Sequence, residues 1–247
     1  MADLRNYQAR MATGARADAA IDEGLRAYMI RVYNLMAIGL AITGVAALAA
    51  FNFAFVDGQL TAFGQAIYLS PLRWVVILAP VALVFFMSFR IDKLSVSAAQ
   101  TTFWIYAALM GLSLSTVFLV YTGESITRTF FITAASFGAL SLYGYTTKRD
   151  LSGMGSFLIM GLFGLIIASL VNLFLASSAM QFALNVIGVL IFAGLTAWDT
   201  QRLKDDYPML AGSGEMLHKA SVMGALSLYL NFVNMFQMLL SLLGNRE

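Results

Sequence analysis

Two polar side chains interrupt stretches that are otherwise apolar. Asp199 closes the run LIFAGLTAWDTQRLK, and Asn231 lies midway along ALSLYLNFVNMFQMLLSLL. A carboxylate or carboxamide in such surroundings is costly unless a partner, a water-filled cavity or a task accounts for it. Around Asn231, a helical repeat of about 100° per residue gathers Ser227, Asn234, Gln237 and Ser241 into one sector of roughly 120°. That stripe predicts a helix with one face turned to an interior, and the plainer alternative is a set of interhelical hydrogen bonds. The charged neighbour expected for Asn231 is Asp199. Arg90 ends an earlier apolar run on the same side as Asp199, so a guanidinium–carboxylate pair between them is geometrically allowed. Snorkelling of Arg90 to lipid headgroups is the competing reading.

The elements that must carry these residues are membrane helices. Hydrophobic residues make up 60% of the chain and charged residues 11%, against about 25% charged in soluble domains. The predicted class is therefore an all-α integral membrane protein set in a lipid bilayer. Seven runs approach the ~20 residues needed to cross the hydrocarbon as helix: Ile30–Phe51, Trp74–Phe89, Thr101–Tyr121, Thr129–Thr146, Ser156–Ala176, Phe182–Trp198 and Ser221–Leu243. The second contains Pro80, which a membrane helix tolerates when neighbours satisfy the freed carbonyl. The seventh carries the polar stripe. Asp199 is then expected at the end of the sixth span.

Two domains are drawn, a tail over residues 1–27 and a membrane domain over 28–247. The tail is read either as a solvated leader or, over Asp18 to Arg31, as an interfacial helix. It is too long and too polar to belong to a cleaved signal. Basic residues orient the bundle. With the tail in the cytoplasm, 12 Lys and Arg face inward, among them Arg26, Arg90, Lys148, Arg202 and Lys219, against 3 on the other side, Arg73, Arg128 and Arg246. The C-terminus is then external. Small residues at Ala107, Gly111 and Ser115, and at Gly161 and Gly164, are read as ordinary helix-packing positions.

Composition also excludes chemistry. Without Cys there is no thiol nucleophile or Cys-ligated metal, and with one His there is no His cluster. That His, His218, is expected in the loop between the sixth and seventh spans. The basic residues are dispersed, so nucleic acid is not a partner to expect. No second intramembrane acid or Gly-framed Ser accompanies Asp199, and an enzyme is not expected.

The segments GLRAYMIRVYNLMA, KRDLSGMGSFLIMGLFGLI, AWDTQRLK and ALSLYLNFVNMF resemble the Bax inhibitor-1 family, in particular its bacterial branch, from about Gly24 to Gly244. The resemblance implies a bacterial inner-membrane protein in which six helices surround a central seventh. It implies a pH-sensitive calcium leak, closed when a basic residue ending the second helix pairs with an aspartate of the sixth. That aspartate shares a proton with one in the seventh. Arg90 matches the first position and Asp199 the second. The third departs from the pattern, since the chain reads Leu228-Tyr229-Leu230-Asn231 where the family has Leu-Tyr-Leu-Asp. An amide cannot ionise, so weaker transient calcium binding at Asp199 and Asn231 and a flatter pH response are expected. Some bacterial relatives are linked to the membrane protease FtsH. A regulatory interaction through the tail, Met1 to Arg16, is accordingly the alternative to the ion leak.

Overall fold

The computed structural model describes the backbone of residues 2–245 and the side chains of residues 21–245. Arg246, expected outside, and the side chains of the leader up to residue 20 lie beyond the described residues.

Helices dominate because the chain offers few alternatives: apolar runs are uninterrupted and turn residues cluster between them. Seven long helices are described, α1 (Ala2–Ala54), α2 (Leu72–Arg90), α3 (Val96–Leu114), α4 (Gly123–Thr146), α5 (Ser152–Leu175), α6 (Ser178–Leu210) and α7 (Gly214–Leu243). The boundary drawn at residue 27 falls inside α1. Ser95, Thr122, Ser177 and Ser213 begin α3, α4, α6 and α7, each side chain accepting a hydrogen bond from an orphan N–H of the first turn. After α1 the chain reverses through a two-residue hairpin, Phe55–Val56 paired with Gln59–Leu60. Asp57 and Gly58 take the left-handed backbone that such a turn demands. Pro80 sits within α2 without ending it.

Six of the helices are long and apolar enough to cross a membrane, namely α1 from Ile21 onward, α2, α3, α5, α6 and α7. The fourth predicted span, α4, has 24 residues but is not among them. Its Thr, Ser and Gly residues lower its hydropathy.

Packing places α6 and α7 at the centre. The two lie against each other, and α7 also touches α1, α3 and α4, while α6 touches α1, α4 and α5. On the outside, α2 rests chiefly on α3 and α5 on α6. Tyr229 of α7 is fully buried, its ring edge-on to Phe103 and Tyr106 of α3. Its hydroxyl meets Thr43 Oγ1 of α1 at 2.6 Å. Small residues let the backbones close up. A Cβ on Gly111 would stand 2.4 Å from the Thr43 carbonyl oxygen, and one on Gly144 would stand 2.1 Å from that of Ala197. Gly161 faces Ile191, whereas Gly164 faces open space.

Two boundaries differ from expectation. The sixth span was expected to stop at Trp198, yet α6 runs on to Leu210, so Asp199 is an interior helix residue rather than a terminus. Hydropathy falls at that point because charges begin, while Gln201, Arg202, Leu203 and Lys204 remain good helix formers. His218 belongs to the second turn of α7, not to a loop.

Candidate functional site

Asp199 is 3% exposed, and its surroundings follow from its place on the central helix. Successive residues of a helix point about 100° apart, so four in a row reach every neighbour. Asp199 faces α7. Its Oδ2 accepts hydrogen bonds from Asn231 Nδ2 at 2.8 Å and from Ser227 Oγ at 2.7 Å. Thr200 faces α4, where its hydroxyl lies 3.0 Å from that of Ser141, which in turn is hydrogen-bonded to the hydroxyl of Tyr33 on α1. Gln201 faces the α4–α5 connection and holds it with both ends of its amide. Its Oε1 accepts from the Leu151 N–H at 2.8 Å and its Nε2 donates to the Arg149 carbonyl at 2.7 Å. In the same connection, hydrogen bonds from the Ser152 side chain and backbone hold the Asp150 carboxyl below the usual carboxylate range.

Arg202 turns back. Its Nη2 lies 2.7 Å from Asp199 Oδ1, one helical turn away, and its guanidinium sits 4.7 Å above the Trp198 ring. The approach to Oδ1 is off the N–H axis, so it is a charge contact rather than an aligned hydrogen bond. The Arg202 side chain is 41% exposed, and its pairing is therefore partly screened. Arg90, the cation expected at Asp199, is exposed at the end of α2, and the ion pair that Asp199 makes is with Arg202 instead. The physical reason is the extension of α6. Once the helix continues past Asp199, a residue three positions on shares its face.

The expected stripe on α7 divides among separate tasks. Ser227 and Asn231 meet Asp199, Asn234 donates to its own helix at the Leu230 carbonyl, Ser241 accepts from Asn185 on α6, and Gln237 is half-buried. Asp199, Arg202, Ser227, Asn231 and Asn234 all line one cavity of about 660 Å³ between α5, α6 and α7. A second cavity of about 380 Å³ lies on the other side of Arg202, between α2, α6 and α7, with Tyr28, Ser88 and Asp206 in its wall. Both share Arg202, Ser227 and Leu230.

Among the described residues no three acidic, His or Cys side chains gather to hold a metal. The Asp199 carboxylate is engaged by Ser227 and Asn231 at Oδ2 and faces the Arg202 charge at Oδ1, so a cation approaching Oδ1 competes with Arg202. Oxygen donors are nevertheless present at Asp199, Ser227 and Asn231.

These features define a polytopic helical membrane protein with a buried acid at the heart of its bundle. Residues 25–247 match the family model described as inhibitor of apoptosis-promoting Bax1, and the chain belongs to the Bax inhibitor-1 family. It is 48% identical over 225 residues to the inner membrane protein YbhL of Escherichia coli K12, covering 91% of this chain and 94% of the relative. An uncharacterized protein of Rickettsia prowazekii is 51% identical over 228 residues, 92% of each chain. One from Caulobacter vibrioides is 47% identical over 250 residues, covering both chains completely.

Proposed function

We propose that this chain is a seven-span bacterial inner-membrane protein that leaks a small cation, calcium among them, past Asp199, and that Arg202 holds the site shut in the conformation described. The observation that carries the reading is the Asp199 carboxylate, buried against α7 inside a cavity and answered by an amide and a partly exposed arginine. A membrane protein retains such a group when it serves a path or a relay.

For a seventh span, α4 has the length. Its 24 residues rise about 36 Å, against a hydrocarbon core of about 30 Å. Ser125, Thr129, Thr133, Phe137 and Ser141 recur every four residues and are buried, so four of the hydroxyls that depress its hydropathy face the bundle and not the lipid. The inner-membrane setting follows the relative YbhL, and the 12-to-3 bias of basic residues supports a cytoplasmic N-terminus.

Calcium-dye flux in proteoliposomes tests the lock. Arg202→Ala should raise basal leak, and Arg90→Ala should leave it unchanged. Arg202→Ala combined with Asp199→Ala should give less than the sum of the single effects, because the two form one unit. A silent Arg202→Ala would remove the lock. Leak that is indifferent to every one of these changes would favour a regulatory contact with a protease such as FtsH.

A further inference from the structure

Fourteen residues before Asp199 on α6, a second polar cluster occupies the opposite end of the bundle. Asn172 Nδ2 donates to Gln181 Oε1 at 3.1 Å, Gln181 Nε2 to Asn185 Oδ1 at 3.0 Å, and Asn185 Nδ2 to Ser241 Oγ at 2.7 Å. Three carboxamides thus join α5, α6 and α7 in one directional chain. Asn172 and Asn185 are 6% and 5% exposed. Closing the α5–α6 turn explains part of Asn172, whose Oδ1 accepts from the Ser177 N–H beside the left-handed Ala176. It explains neither Asn185 nor the cavity of about 500 Å³ that the cluster lines.

That cavity does not stand alone. Ser169 and Leu173 belong to its wall and to the wall of the Asp199 cavity, and the latter shares Arg202, Ser227 and Leu230 with the cavity near Tyr28. Two spaces therefore follow one another along the seam of α5, α6 and α7, and the third adjoins them at Arg202 between α2, α6 and α7. The seam exists because α5 packs on α6 and leaves α7 largely unmet on that side. From Asn185 to Asp199 the rise is about 21 Å, which accounts for most of a ~30 Å hydrocarbon core. Most of the polar groups lie on the α6–α7 wall, with Ser169 and Asn172 contributed by α5, whose Ile166, Leu170 and Leu173 are exposed apolar residues suited to acyl chains.

We propose that the Asn172–Gln181–Asn185–Ser241 chain is the outer mouth of one polar path along the α5–α6–α7 seam to Asp199, and that its oxygens receive a partly dehydrated cation. Each amide oxygen accepts one hydrogen bond and keeps a second lone pair for a hard cation. The cluster carries no charge, so it binds weakly, as passage requires. The cation as cargo rests on the leak reading, whereas the path itself does not.

The chain contains no Cys, so single cysteines report without further change. Ser241→Cys, Ser169→Cys and Leu190→Cys are reconstituted and treated with membrane-impermeant thiol reagents, one cationic and one anionic. Serine to cysteine is nearly isosteric, and only a hydrated thiol ionises and reacts. Ser241→Cys and Ser169→Cys should react at least about tenfold faster than the lipid-facing Leu190→Cys, with the cationic reagent faster at Ser169→Cys. Reaction at Ser241→Cys alone would make the outer cavity a closed dimple and overturn the path. Equal rates with both reagents at Ser169→Cys would overturn the cation. Absence of calcium flux in wild type, with the expected labelling intact, would overturn the calcium leak and leave the path standing.

Discussion

Asn231→Asp converts the acid–amide pair at the centre into two acids, and the structure sets the size of the effect. The atom replaced, Asn231 Nδ2, donates to Asp199 Oδ2 at 2.8 Å. Two carboxylates at about 4 Å repel by about 4 kcal/mol at an effective dielectric of 20. Arg202 returns at most about 1 kcal/mol, since half-exposed pairs are screened. The remaining ~3 kcal/mol is a bias of about a hundredfold toward keeping one proton on the pair. That proton competes with a cation, so the variant should bind calcium more tightly, and leak more, as pH rises. Wild type has a single carboxylate at the centre and should change less over the same range. Without metal the sign for stability is opposite. The folded pair binds its proton more strongly than the unfolded chain does, so stability is full at low pH and falls by up to ~3 kcal/mol as pH rises and the proton leaves. Dye flux and thermal melting in detergent between about pH 5 and pH 8 measure both effects. Parallel profiles for wild type and variant would refute the reasoning, because position 231 would then not sense Asp199.

Gln201→Ala should free the α4–α5 connection, leaving the Leu151 N–H and Arg149 carbonyl unmet at a cost of about 2 kcal/mol, read as a lower melting temperature and faster proteolysis between residues 147 and 151. Gly144→Ala drives a Cβ into the Ala197 carbonyl and should cost about 3 kcal/mol or the fold itself, whereas Gly164→Ala meets nothing and should be neutral or slightly stabilising, as thermal melting of the purified pair would show. A phosphatase fused after Glu247 should be active and one fused at Ser213 inactive; the reverse would place Asp199 near the external face.

Six of the seven predicted spans were legible because bilayer thickness imposes a length that composition alone reveals. The meeting of Asp199 and Asn231 was legible too, since two costly groups on neighbouring helices have few other partners. Arg202 was not. Hydropathy marks where the surroundings change and not where the helix ends, so Arg202 read as a loop charge until α6 was seen to continue beneath it. With α6 extended to Leu210, the three-residue spacing from Asp199 becomes a shared face, and the distant Arg90 is no longer needed. Gln201 and Thr200 were hidden for the same reason. On a surface segment they are ordinary polar residues, and only a central helix gives each a separate neighbour. Ser125, Thr129, Thr133 and Ser141 of α4 mislead hydropathy in the opposite direction, because a scale that averages around the helix cannot see that these four face inward.

The central claim is that Asp199 carries an ion across the bilayer. Calcium influx into dye-loaded proteoliposomes at one fixed pH, wild type beside Asp199→Asn at matched protein content, tests it most directly. Asparagine keeps the shape and the hydrogen bond to α7 but removes the charge that attracts the cation, so influx should fall severalfold toward that of empty vesicles. Equal influx through wild type and Asp199→Asn would contradict the account.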